Sequence, residues 1–482
     1  LKAAKVQLKE VFTTPREELN KIERRITQIT ERLDEIEKEL QKISQEKIKL
    51  MSFYDYFHHL LKEKKVSIQS RSTPYTFIIG GWVKKTDLSK LKEGLKDFSS
   101  LDIVVRIPDK REESKIPIAL SNRSLFKPFE LVTNLYGLPR YFEIDPTPFL
   151  APFFALFLAI CLTDGGYGIA LSLLAYIGLK KFKIGGGGKK LFLMLFITGF
   201  ITFAIGIITG GIFGIEFSQL PPSLAFLKRL SLLNPVQQPM IFLLICLILG
   251  IIHILTGITL EVWDNLKRKN IASAILDHAS WIVLIIGLIL ILLPVATNMF
   301  LGSAQAVASE KGLSSSNIVI SFSPDNIRKI WNTLPLYSKT GVIMFLWGAV
   351  TLFLFVGRKS KNFFTRLAKG GYELYGIVQI FADILSYSRL LALGLATSVI
   401  ATVINTIAIM IGKTPIIGPV LMVIILIGGH LGNILINCLS GFIHTARLQF
   451  VEFFGKFYEG GGRSFQPFRR EGKYISITSN DY

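Results

Sequence analysis

Only three cysteines occur in the 482 residues, Cys161, Cys246 and Cys438, and each sits inside an apolar run. The odd count and the lack of paired spacing argue against a disulfide framework or a thiolate metal site, leaving small buried hydrophobes. The histidines, His253 and His278 among them, show no paired metal-ligand spacing either, so neither metal nor cofactor is expected. Acidic residues are outnumbered, 35 Asp and Glu against 55 Lys and Arg, for a net charge of +20. No nucleic-acid-binding motif accompanies that charge, and nucleic acid is not an expected partner. A phosphate-binding loop is missing as well. The "GKT" at Gly412–Thr414 has Ile407 where the motif needs glycine, and "GGGG" at Gly185–Gly188 links two apolar segments without a preceding strand.

What is abundant is apolar sequence. Half of all residues are hydrophobic and the mean hydropathy is +0.45, unevenly spread. Residues 1–146 are rich in charge and residues 147–458 are mostly long apolar runs, so the chain reads as a soluble part followed by a polytopic membrane domain. Clear spans cover roughly 190–216, 238–262, 272–298, 340–357, 370–411 and 416–458, with a further run at 148–179. That run is interrupted by "TDGGYG" (Thr163–Gly168), and splitting it there gives eight helices, with both ends of the membrane domain on one side. The loops bearing Lys180, Lys181, Lys183, Lys189 and Lys190, then Lys267, Arg268 and Lys269, then Arg358, Lys359, Lys361 and Arg366, and the tail with Arg463, Arg469, Arg470 and Lys473, then all face the cytoplasm. The loop 299–339 faces outward. Each of the last two spans covers about 40 residues, ~60 Å of helix against a ~30 Å hydrocarbon core, so steeply oblique or projecting helices are expected.

The soluble part divides in two. Leu19, Ile22, Ile26, Ile29, Leu33, Ile36, Leu40 and Ile43 form a heptad seam, so residues 1–66 read as a coiled-coil arm that needs a partner helix. In residues 67–146, "TFIIGGWV" and "LDIVVRI" read as strands around an amphipathic helix in "DLSKLKEGLKDF", a small α/β lobe with a return segment. The membrane domain runs from 147 to 460, followed by a cytoplasmic tail, 461–482. The fold class is therefore mainly α. Leu1 stands where Met would, no signal peptide is visible, and a preceding N-terminal part is expected.

Charge at membrane depth costs ~2.5 kcal/mol or more for arginine at a helix centre, so each instance is a candidate site. Arg389 is followed by no charged residue until Lys413, and shares its helical face with Ser386, Ala392 and Ala396. Asp383 and Tyr387 precede it. In the last span nothing is charged from Pro415 to Ala446, and Asn433, Ser440, His444 and Arg447 fall in one stripe, with Gln449 and Glu452 close behind. Charged residues near a helix end also snorkel to headgroups and polar stripes also serve as interhelical glue, and Glu452 and Lys456, close to the tail, read first in one of those two ways.

"FADILSYSRLLALGLATSVIA" and "FIHTARLQFVEFFGKFYEGGGRSFQPF" resemble the last two membrane helices of the large membrane stator subunit of V/A-type rotary ATPases. "FELVTNLYGLPRYFEIDPTPFLAPFF" followed by "DGGYG" resembles that family's approach to the membrane. The resemblance covers nearly the whole chain. It implies a non-nucleotide-binding subunit beside a rotor ring of small membrane subunits, with peripheral-stalk coiled coils and the base of the central stalk as further partners. It also implies the plasma membrane of a bacterium or archaeon. The family's essential arginine matches Arg389 and its second functional arginine matches Arg447. Two half-channels for H⁺ or Na⁺ are implied, for which Ser440, His444, Asp383, Tyr387, Asn405, Asn433, Asn437, Gln449 and Glu452 are candidates. Eukaryotic members carry acids where this chain has Asn437 and Tyr375. The competing class is a stand-alone secondary transporter or membrane receptor with a coiled-coil oligomerisation arm. Transporters commonly contain internal repeats, and "TDGGYG" has no counterpart in the second half.

Overall fold

The computed structural model describes residues 15–181, 186–217, 230–308, 335–360, 362–468 and 474. Residues 1–14, Lys183, Lys361, the middle of the 299–339 loop and Arg469, Arg470 and Lys473 lie outside the described residues. Two compact units are present, one of residues 1–103 with 466–482, the other of residues 104–465.

The first unit is dominated by α1, Pro15–Gln69, 55 residues long. Its heptad seam is open, with Leu19 through Ile43 all between 48% and 62% exposed, as a single amphipathic helix without a partner must be. The expected α/β lobe is small. Only Arg71–Ser72 (β1) and Phe77–Ile78 (β2) pair, antiparallel, followed by α2, Leu88–Gly94. "LDIVVRI" forms no strand, and Val104 and Ile107 are 81% and 90% exposed. An apolar run with the right alternation is no strand until another strand supplies its hydrogen bonds.

The second unit begins earlier than the composition change suggests. Phe129 and Val132, around α3 (Glu130–Tyr136), are buried in one cluster with Leu150, Phe154, Leu158, Phe453 and Tyr458. Residues 126–132 therefore pack with the membrane helices. Asp145 accepts the Thr147 backbone N–H (2.9 Å) and starts α4, Thr147–Leu162, while Pro146 needs no donor at that helix start. Pro117–Ile118 (β3) pairs in parallel with Arg463–Ser464 near the chain's end, and Tyr458 Oη donates to Gly137 O at 2.6 Å.

Six helical spans are long and apolar enough to cross a membrane by length and composition: Gly187–Thr209, Pro239–Lys267, Ile271–Pro294, Leu336–Arg358, Phe363–Gly412 and Gly418–Phe457. The corresponding helices are α6 (Gly186–Thr209), α7 (Pro239–Lys267), α8 (Ser280–Ala308), α9 (Leu336–Phe355), α10 (Phe363–Ser386), α11 (Ser388–Gly412) and α12 (Gly418–Arg447). The span Phe363–Gly412 is 50 residues, ~75 Å at ~1.5 Å per residue, and is interrupted only at Tyr387, between α10 and α11. α12 continues through a π turn, Leu448–Phe453, to Phe457.

The apolar run at 148–179 breaks at "TDGGYG" into α4 and α5, Gly165–Lys181. Thr163 takes a left-handed conformation, φ 42°. It is held by its hydroxyl donating to Gly394 O (2.9 Å) and by Thr209 Oγ1 donating to its carbonyl (2.8 Å). Asp164, 2% exposed, caps α5 by accepting the Tyr167 N–H at 3.0 Å. Its carboxylate also accepts the Phe213 and Gly214 N–H groups, both at 2.8 Å. Those two residues form the turn between β4 (Gly211–Ile212) and β5 (Ile215–Glu216). A buried carboxylate is tolerated because backbone dipoles replace its hydration. The glycines serve close approach: a Cβ on Gly206 of α6 would stand 2.0 Å from Gly165 N. α5 and α6 thus meet backbone to backbone.

Asp164→Ala would orphan three N–H groups, one buried and two part-buried, at up to ~1–3 kcal/mol each. We expect a loss of about 3 kcal/mol or more, read as a lowered unfolding temperature in mild detergent, with Asp164→Asn falling between the two. Unchanged thermal stability of Asp164→Ala would show that the break does not depend on this carboxylate.

Candidate functional site

Arg389 lies in the first turn of α11, directly after the break at Tyr387. The chain turns there with Tyr387 N–H donating to Ile384 O at 3.1 Å. Arg389 is half-buried, and its Nη1 is buried without a hydrogen-bond partner. Among the described residues the guanidinium makes no ion pair within 4.0 Å. Glu452, in the π turn after α12, is 2% exposed and lies within electrostatic reach of both Arg389 and Asp383. Glu452 Oε2 is also buried without a partner. Of the two roles expected for Glu452 and Lys456, snorkelling or interhelical glue, the packing fits the second: Glu452 is inside, and Lys456 Nζ pairs with Asp383 Oδ2 at 2.6 Å, both side chains under one-fifth exposed. A partly buried acid close to an arginine competes for it unless another cation takes it. Lys456 takes Asp383, which leaves Arg389 uncommitted.

Tyr387 and Gln449 do not open onto a surface. Both are fully buried, and both bond His253 of α7, which accepts from Tyr387 Oη at Nδ1 (2.7 Å) and donates from Nε2 to Gln449 Oε1 (3.2 Å). A single neutral tautomer, protonated on Nε2, satisfies both bonds.

A second polar chain runs between α5, α11 and α12. Asn437 Nδ2 donates to Asn433 O at 2.9 Å and also contacts its side-chain oxygen. Asn433 Nδ2 donates to Tyr167 Oη at 2.7 Å. Tyr167 Oη in turn meets His430 Nδ1 at 2.8 Å, and His430 Nε2 meets Asn405 Oδ1 at 3.0 Å. Asn405 Nδ2 ends the chain on Phe213 O at 2.7 Å. Every group donates in the same direction if His430 carries its proton on Nε2. The structure thus joins Asn405, Asn433 and Asn437 in one network, with Asp164 anchoring its far end through the 213–214 turn.

Ser440 and His444 are half-buried and Arg447 is exposed. His444 Nδ1 is buried and unpartnered, as is Gln449 Nε2. Sequence reasoning does not find His253, Tyr167 or His430 as members of these networks, because each pairs across 130 residues or more, or lies on another helix's face. Spacing along one helix carries no signal of that kind.

Lys456→Ala would leave Asp383 without its cation. Removing one partner of a buried pair costs ~3–5 kcal/mol, so we expect a clear fall in unfolding temperature, largely recovered in Lys456→Ala/Asp383→Asn. Equal stability of the single and double variants would mean that the pair does not hold these helices.

The same break, arginines and polar networks fall within segments shared with known proteins. The model of the V-type ATPase 116kDa subunit family matches residues 1–215 and 377–470. The A-type ATP synthase subunit I of Methanocaldococcus jannaschii is 31% identical over 495 residues, covering 97% of this chain and 66% of the relative. That of Pyrococcus abyssi is 33% identical, covering 84% of this chain and 56% of the relative. The V-type ATP synthase subunit I of Borreliella burgdorferi is 25% identical, over 75% of this chain and 55% of the relative. The chain thus spans between about half and two thirds of the length of these relatives. The matched segments include Thr163–Gly168, the break at Tyr387, Arg389, the asparagine and histidine network from Asn437 to Phe213, Gln449 and Arg447, whereas His253 lies outside them, and the chain is an integral membrane protein of the V-type ATPase 116kDa subunit family.

Proposed function

We propose that the chain is the membrane stator of a V/A-type rotary ATPase, a subunit that carries ions rather than one that catalyses ATP chemistry. In this reading eight helices cross the membrane, with the short α4 and α5 among them, and the soluble arm and C-terminal tail lie in the cytoplasm. α11 and α12 stand against a rotor ring whose subunits each carry an ion-binding carboxylate. That carboxylate is neutral in lipid, by protonation or by bound Na⁺. On reaching Arg389 it meets a guanidinium that keeps its proton, which favours release of the ion into one half-channel. The same cation blocks direct passage between half-channels, so net transfer requires rotation. The Asn437–Asn405 network would line one aqueous path, and Glu452, Ser440 and His444 the other, with Arg447 between. α1 would pair with a further helix to join the peripheral stalk, and the central stalk base would meet the cytoplasmic face.

The observation that supports this best is the state of Arg389. It is a partly buried cation with a buried, unbonded Nη1, while the competing acid Asp383 is already paired with Lys456. A structural arginine in an apolar helix would be bonded within its own chain. One kept uncommitted fits a transient partner from outside.

In the assembled complex reconstituted into vesicles, Arg389→Ala should abolish ATP-driven ion uptake with assembly retained. Arg389→Lys should also be severely impaired, since an ammonium can deprotonate and lacks the planar fork. Normal uptake by Arg389→Ala would refute the role.

A further inference from the structure

His253 is the one wholly buried histidine among the described residues, and the ion path proposed for the stator does not use it. Its two ring nitrogens reach the two irregular points of the long helices. Nδ1 meets Tyr387 (2.7 Å), the residue at which α10 gives way to α11. Nε2 meets Gln449 (3.2 Å), which sits in the π turn Leu448–Phe453. The ring is stacked on Phe453 at 4.2 Å and 18°, and Phe153 packs on it at 4.4 Å. One turn earlier on α7, Gly250 makes room for Tyr387, since a Cβ there would stand 2.5 Å from its ring. Both nitrogens and the ring face are therefore constrained at once.

The spacing to the arginines gives this bridge its consequence. Tyr387 is two residues before Arg389, and Gln449 is two residues after Arg447. Two positions along a helix are about 200° of rotation, so drawing Tyr387 and Gln449 inward turns each arginine away from the interior. Their exposures agree: Tyr387 and Gln449 are 0% exposed, Arg389 is half-buried and Arg447 exposed. The π turn contributes too, because its extra residue resets the rotation of the helix beyond it and places Gln449 and Glu452 on the buried side. We propose that His253 is a positioning residue that sets the rotation of both long helices, and so holds Arg389 at the rim of the buried cluster and turns Arg447 outward. The inference rests on the stator reading only for its effect on coupling; the rotational setting itself can be measured without it.

His253→Phe keeps a ring for the stack on Phe453 and removes both hydrogen bonds. The readout is the number of ions taken up per ATP hydrolysed by the complete complex in vesicles, with a pH-sensitive dye for H⁺ and radioactive sodium for Na⁺. We expect at least a tenfold fall in that ratio for His253→Phe and a smaller fall for Tyr387→Phe, which loses one bond. In parallel, spin labels at Leu385 and Val451, 48% and 59% exposed, report the setting of the helices in a background with the three native cysteines replaced by alanine. The label distance should be narrow in the parent and shifted or broadened in His253→Phe. An unchanged distance distribution overturns the proposal. So does an unchanged ratio, provided Arg389→Ala has lost uptake in the same assay. Should Arg389→Ala pump normally, the stator reading fails instead, and the label distance alone decides the positioning role.

Discussion

Holding a guanidinium at membrane depth costs ~2.5 kcal/mol or more, and a chain that keeps one there without a fixed counter-ion must organise its surroundings around that cost. Around Arg389 the organisation is visible residue by residue. Asp383, six positions earlier, is occupied by Lys456 from the far end of the other long helix. Glu452 is near enough to moderate the charge but makes no ion pair with it within 4.0 Å. Tyr387, next but one to the arginine, is tied to His253, which fixes where α11 begins. The helix pair is thus pinned from a third helix, α7, rather than by its own packing alone.

The same economy appears on the other side of α11. A break in the middle of an apolar run would expose backbone groups with no water to satisfy them. Asp164 satisfies three such groups, on both α5 and the 213–214 turn, and that turn accepts the last hydrogen bond of the asparagine and histidine network. Breaks, π turn and polar chains therefore belong to one arrangement. Irregular backbone is confined to places where polar side chains cover it, and those are the places where a path for ions would need polar walls.

Much of this is legible in the amino-acid order. The mainly helical membrane class, the division at Thr163–Gly168 and the place of Arg389 at the head of an apolar helix follow from hydropathy and from breaker residues. The heptad seam of α1 is also plain there, and its exposure agrees. What the sequence conceals depends on neighbours. "LDIVVRI" has strand periodicity but no partner strand, so it stays extended and exposed. Residues 104–146 look soluble by charge, yet Phe129 and Val132 bury against the membrane helices. Lys456 reads as either a headgroup anchor or interhelical glue because its partner, Asp383, is 73 residues away. His253 reads as a solitary histidine because both of its bonds lead to other helices. Periodicity reports the face of a single element and is silent about which faces meet.

The most direct test of the proposed role is the structure of the chain within its assembled complex, read at one distance. The account predicts the Arg389 guanidinium within ~4–6 Å of a rotor carboxylate, the range over which an opposite charge shifts a carboxyl's proton affinity strongly, at one ring position. A guanidinium turned to lipid headgroups, or paired with Glu452 or Asp383 of its own chain and with no rotor carboxylate in reach, would contradict it.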